Sequence, residues 1–249
     1  MTFCILGYCP DSDQTGIGYT TVTLAGGGTS PFYSYGGDIV VVQAYGNIAT
    51  AVQGARALDA GSAPEDAMTA MCKADPAIEY RQIGIMTRDG QSLARTGSKA
   101  RPWAGHRSSD RYIAMGNVLA GQQVVDAMAD AFEASAGEPL PERLLRAIEA
   151  GRDAGGQQAP GGAYDERSAL LKIYGASEEL RNAPALDLRI DMASDAVGQM
   201  RRTYEIYKPV IRRRLERARN PENDPPTAVW EAEHMAGNPP PPALRGVAK

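Results

Sequence analysis

The hydrophobic period of this chain alternates in blocks between two residues and three to four, and that block order restricts the folds open to it. It opens on strands. Thr2–Cys9 (Thr-Phe-Cys-Ile-Leu-Gly-Tyr-Cys) is an apolar run with the length of a buried strand. After a polar turn at 10–13 come Gly16–Leu24, rich in Thr, Val, Ile and Tyr, and the buried run Asp38–Tyr45. The period then changes. Ile48, Val52, Ala55 and Leu58 recur at helical spacing up to Gly61. Ser62-Ala63-Pro64-Glu65 reads as a capping box opening a second helix with Ala67, Met68 and Met71. Gln82–Met86 and Ser92–Thr96 flank Asp89-Gly90 as a hairpin, and Tyr112–Leu119 adds a strand. Two further helices carry stripes of Val124, Val125, Met128, Ala131 and Phe132, then Leu140, Leu144, Leu145 and Ile148. Gly155–Tyr164 reads as a loop, Ser168–Tyr174 and Leu186–Ile190 as strands, and a long helix runs from about Asp195 to Arg219.

Strand blocks separated by paired helices predict an α+β fold, two sheets packed together and covered by helices on both outer faces. A doubly wound sheet would alternate strand and helix singly. No Gly-x-Gly-x-x-Gly or Gly-Lys-Ser/Thr phosphate loop is present, and Gly26-Gly27-Gly28 reads as a turn. The expected organisation is a single domain over 1–219 that includes the basic helix at about 195–219. The proline-rich tail, 220–249, cannot build a core. Such an end is ordered only when tied down, so it is expected to dock on the core or on a partner subunit of a homodimer or higher homo-oligomer.

A length of 249 residues, with 43% hydrophobic and 22% charged residues, is ordinary for a globular chain. The net charge of -4 argues against a nucleic-acid partner. No apolar stretch approaches the roughly 20 residues that span a bilayer. No basic segment with a hydrophobic core opens the chain, so no membrane association and a cytoplasmic location are expected. Cys4, Cys9 and Cys72 show no disulfide framework, and His106 and His234 are too isolated for a zinc site. No metal and no organic cofactor is expected.

Thr2 follows the initiator methionine. Once Met1 is removed, one residue holds both a hydroxyl nucleophile and a free α-amine, and the amine can take the hydroxyl proton. Its reference pKa near ~7.7–8 suits a general base at neutral pH.

Several segments together resemble a bacterial family, domain-of-unknown-function family 1028. They include Met1-Thr2-Phe3-Cys4-Ile5, Gln43-Ala44-Tyr45-Gly46-Asn47, Arg81-Gln82-Ile83-Gly84, Trp103-Ala104-Gly105-His106, Gly116-Asn117-Val118-Leu119-Ala120-Gly121 and Ser168-Ala169-Leu170-Leu171. Their order and spacing hold over roughly 1–200. The family is classed with the N-terminal-nucleophile hydrolases, so the resemblance implies an αββα four-layer sandwich and amide-bond hydrolysis, without a defined substrate. The chain departs from the family at Cys4, where Ser is usual. It departs again in 155–168, where Gly-Gly-Asp-Arg-Gly-x-Gln-Ser is replaced by a longer Gly/Pro-containing insertion.

By that fold analogy the oxyanion donors come from Gln43, Asn47 and Asn117, with Asn117 first. Thr96 and His106, the latter in a loop, could line the substrate cleft. Asp187, Arg189 and Asp191 read as a salt-bridged face, and the arginines of 201–219 as a helix docking its apolar side. The expected function is hydrolysis of a small amide or peptide-like substrate, with Thr2 and Asn117 catalytic and Gln43, Asn47, Thr96 and His106 binding substrate. The alternative is a catalytically silent sandwich used for binding or assembly.

Overall fold

The computed structural model describes residues 1–175 and 183–241. The chain divides into two compact units, Met1–Met200 and Arg201–Lys249.

The first unit is mixed α/β with antiparallel sheets. A six-stranded sheet contains β1 (Thr2–Cys9), β2 (Gln14–Thr21), β7 (Ala104–Ser109), β8 (Tyr112–Asn117), β11 (Ser168–Tyr174) and β12 (Pro184–Ile190), in the order β12-β11-β2-β1-β8-β7. A four-stranded sheet holds β3 (Pro31–Tyr33), β4 (Ile39–Ala44), β5 (Arg81–Met86) and β6 (Ser92–Thr96) in sequence order. Between them lies an apolar layer of Cys4, Leu6, Ile17, Tyr19, Ile39, Val41, Met86, Ile113 and Met115. The helices α1 (Ile48–Asp59) and α2 (Pro64–Ala74) pack on Val40, Val42, Ile83 and Ile85, the alternate side chains of the four-stranded sheet. The pair α3 (Gln122–Ala134) and α4 (Leu140–Asp153) packs on β1, β2 and β8 of the larger sheet.

This layering follows from the period-two pattern of the strands. In β1, Thr2, Cys4 and Leu6 share the face toward the other sheet, whereas Phe3, Ile5 and Gly7 face the helices. Gly7 is needed there, because a Cβ would lie 2.8 Å from the Phe132 ring.

Several boundaries depart from the sequence expectations. The capping box at Ser62 does not form: Pro64 takes the first helical position, the N-cap is Ala63, and the Ser62 N–H instead closes α1 on the Ala57 carbonyl at 3.0 Å. The strand expected through Leu119 ends at Asn117, because Val118 turns into the left-handed region at φ 55°. Residues 155–164 were expected as a loop, yet β9 (Gln157–Ala159) and β10 (Gly162–Tyr164) pair as a short hairpin. His106 lies on a strand, β7, rather than in a loop; the largely polar Ala104–Ser109 carries too little apolar alternation to show it.

The helix α5 (Ala196–Arg219), which runs on into the second unit, continues through Pro209, and α6 (Thr227–His234) buries Trp230 within the proline-rich tail, where composition predicts no core. Residues 242–249, the end of that tail, lie outside the described residues. No helix among the described residues is long and apolar enough to cross a membrane.

Candidate active site

The apolar layer between the sheets turns polar at one end. Thr2 on β1, Gln43 on β4, Gln82 on β5 and Asn117 on β8 each occupy the inward-facing parity of their strands, where the neighbouring inward positions are Cys4, Val41, Gly84 and Met115. Strand register brings them together: Thr2 pairs with Asn117 and with Thr21, and Gln43 pairs with Gln82.

Gln82 is the hub. Fully buried, it shares the two Nε2 protons among the carbonyls of Gly105 (3.0 Å) and Gly116 (2.9 Å) and the Thr96 hydroxyl (3.0 Å). Because carbonyls only accept, its Oε1 must be the acceptor facing Gln43 Nε2 (2.8 Å) and Asn117 Nδ2 (3.2 Å). Gln43 Oε1 in turn accepts from the Cys4 thiol at 3.5 Å, and burial pushes that thiol's pKa up, so it stays protonated. The chain of bonds fixes Asn117. Its Nδ2 is turned to Gln82, and its Oδ1 is buried with no partner. The open group at Asn117 is therefore an acceptor, suited to a ligand N–H.

Thr96 extends the network outward to His106 Nδ1 at 2.9 Å. Desolvation lowers the pKa of His106. Asn47 does not join. It caps α1 by accepting from the Ala49 N–H (3.0 Å), and its Nδ2 donates to Asp75 (2.9 Å).

Thr2 sits on the other side of Asn117. Its Oγ1 is 3.0 Å from Thr21 Oγ1, and Thr21 donates to the Met1 carbonyl at 2.6 Å. Two cavities meet here. One, of about 370 Å³, is lined by Met1, Tyr45, Arg101, Pro102, Asn117 and Val118 among others. The second, of about 270 Å³, is lined by Met1, Thr2, Tyr19, Thr29, Ser30 and Gln43 among others. Met1 and Ala44 wall both. Ala44 (φ 69°) and Val118 (φ 55°) hold left-handed backbone that non-glycine residues rarely adopt, and for β-branched Val118 this is real strain. Burial, then the nearby Arg101 charge, lowers the pKa of the Met1 α-amine. Tyr19 donates to Ser30 at 2.9 Å, and burial pushes its pKa up to about 12, so it remains a neutral donor beside Thr2. Among the described residues no group of three His, Cys, Asp or Glu side chains is placed to hold a metal ion.

The structure thus gathers Gln43, Asn117, Thr96 and His106 on one network beside Thr2. Sequence reasoning missed Gln82, Thr21 and Arg101. A glutamine alternating with Gly84 and Met86 in an otherwise apolar strand was a readable signal for Gln82; the other two had none.

A sandwich of antiparallel sheets with a polar cluster at the end of its inter-sheet layer defines the class of protein. The chain belongs to the family of unknown function DUF1028, whose model matches residues 2–200. Protein SPO2555 from Silicibacter pomeroyi, a DUF1028 member of known crystal structure, is 28% identical; the match covers 83% of this chain and 89% of that one, with a TM-score of 0.72. Anbu (ancestral beta-subunit) from Yersinia bercovieri is 13% identical over 84% of this chain and 95% of its own, with a TM-score of only 0.38. No curated protein matches.

Proposed function

We propose that the chain is an amide-bond hydrolase of the N-terminal-nucleophile type, built on an αββα four-layer sandwich and acting on a small amide or peptide-like substrate. The observation that carries this reading is the position of Thr2: it lines a cavity at the end of β1, its hydroxyl against that of Thr21, with Met1 as the wall above it. Loss of Met1 exposes the Thr2 amine and joins the space on either side.

The Thr2 amine then takes the hydroxyl proton as Oγ1 attacks the substrate carbonyl. The Oγ1–C bond forms, the oxyanion collapses, and the C–N bond breaks as the ammonium returns the proton to the leaving amine. Water, deprotonated by the same amine, cleaves the resulting ester and restores Thr2. The oxyanion requires donors at this cavity, and the Tyr19 hydroxyl can serve only by turning its proton away from Ser30, to which it donates at 2.9 Å. The Gln82 network keeps Asn117 and Gln43 in place without reorganising.

The second reading is a non-catalytic binding scaffold: in a chain that keeps Met1 the Thr2 nitrogen is an amide that cannot take the hydroxyl proton, and Thr21 holds the Met1 carbonyl at 2.6 Å.

The test joins intact mass with turnover. The hydrolase reading expects native protein to lack one methionine residue, to hydrolyse N-acyl amino acids, to lose turnover in Thr2→Ala and to keep part of it in Thr2→Ser. Full retention of Met1 with no turnover supports the scaffold instead, and undiminished turnover in Thr2→Ala removes Thr2 as the nucleophile.

A further inference from the structure

We infer that the substrate is an N-acylated amino acid with an apolar side chain, whose free carboxylate is read by Arg101. This rests on the hydrolase reading and names the substrate class of that site.

The larger cavity is walled by Met1, Tyr45, Pro102, Val118 and Pro160, most of it apolar surface, with Arg101 as the one charged side chain in its lining. Arg101 stands over the Tyr45 ring, 5.2 Å from guanidinium carbon to ring centroid. It carries no ion pair or side-chain hydrogen bond among the described residues. Its backbone is tied down, since its carbonyl accepts from the Val118 N–H at 3.3 Å. A planar guanidinium held on an aromatic face and left without an anion matches a carboxylate fork. A single cation in an apolar pocket balances a monoanion and leaves a phosphate dianion half neutralised. Carboxylate is therefore the better fit.

The neighbouring groups fix what the carboxylate is attached to. Asn117 lines the same cavity, is 1% exposed and has an unpartnered Oδ1 acceptor. Thr2 is its register partner across the β1/β8 ladder. An N-acyl amino acid presents its features in that order: an acyl carbonyl for Thr2, an amide N–H for Asn117 Oδ1, then a carboxylate for Arg101. Its side chain falls against Tyr45, Pro102 and Val118. The hydroxyl-lined second cavity takes the acyl group.

The experiment uses the full chain with Met1 removal confirmed by intact mass. Probes are N-acetyl-leucine, N-acetyl-methionine and N-acetyl-phenylalanine, each beside its primary carboxamide. Affinities are measured by NMR titration on Thr2→Ala, which binds without turning over, and again with Arg101→Met added, which keeps the stem and removes the charge. The expected result is a preference for carboxylate over carboxamide on the order of a hundredfold, abolished by Arg101→Met with carboxamide binding unchanged. Equal affinities for the two, no binding of either, or a preference that survives Arg101→Met would each overturn the inference. Because binding to Thr2→Ala needs no chemistry, its failure is separable from failure of the hydrolase reading, which shows as unaltered turnover in Thr2→Ala.

Discussion

The hydroxyls of Thr2 and Thr21 face one another at 3.0 Å, and Thr21 gives its proton to the Met1 carbonyl at 2.6 Å. A hydroxyl has one proton to donate. With that of Thr21 on Met1, the Thr2 proton must point to Thr21, so Met1 locks both groups in one orientation. Removal of Met1 frees Thr21 to return a proton to Thr2 or to hold its oxygen in the attacking rotamer. Thr21→Val keeps the shape and removes the hydroxyl. Turnover of N-acyl amino acids is expected to fall about tenfold to a hundredfold in kcat with KM little changed. Unchanged kcat would remove Thr21 from the mechanism.

Gln82 ties both sheets together at the site, and its loss strands several buried groups at once. Gln82→Leu leaves Gln43 Nε2, Asn117 Nδ2 and the Gly105 and Gly116 carbonyls without their partner. At roughly 1–3 kcal/mol for each unsatisfied buried group, less whatever relaxation recovers, the loss is expected to be about 3–5 kcal/mol. Urea denaturation at constant m-value reads it. A loss below about 1 kcal/mol would mean that the network is not what joins the sheets here.

The layers were legible because period-two and helical stripes are written in the same residues that fill the core: Cys4 and Leu6 against Phe3 and Ile5, Val124 with Met128 and Phe132. The polar end of the layer was only half legible. Fold analogy singled out Gln43 and Asn117 as strand amides, but their bond partners come from strand register, which no local pattern encodes. Asn47 shows the reverse failure: an amide at a strand end that the helix start claims as a cap. Polar β7 and the hairpin of β9 and β10 were invisible, since neither carries apolar alternation. Arg101 could not be found from sequence at all, because an unpaired arginine differs from a paired one only in what surrounds it.

Arg213 organises the chain after α5. It makes two bonds to Asp224, at 2.9 and 3.0 Å, donates to the Pro225 carbonyl at 2.9 Å and lies over the Trp230 ring at 4.7 Å. Trp230 stacks on His234 with ring centroids 4.9 Å apart. One side chain thus connects α5 to the start of α6 and to its buried face. Arg213→Ala is expected to abolish amide-exchange protection in 227–234 while leaving that of β1 and β8 intact. Equal protection of α6 in both proteins would show that Trp230 packing alone suffices.

Asp75 anchors the start of α1 to the end of α2. Its carboxylate accepts from Asn47 Nδ2 (2.9 Å), Thr50 Oγ1 (2.6 Å), Arg81 Nε (3.0 Å) and the Ala77 N–H (2.9 Å). Burial works to raise its pKa, but the bonds from Arg81, Thr50, Ala77 and Asn47 outweigh it and hold the carboxyl well below the usual range. The folded-state pKa being depressed, the unfolded chain binds the extra proton first. The contribution is fully present above the unfolded value of ~3.9 and is lost as pH falls from there through the folded value. Asp75→Asn removes the charge and leaves Arg81 half-buried without its anion, an expected loss of about 3–5 kcal/mol at neutral pH. The difference between the two proteins should shrink as pH drops below ~3.9, read as Tm against pH from 7 to 2. Curves that stay parallel over that range would show that Asp75 acts through shape rather than charge.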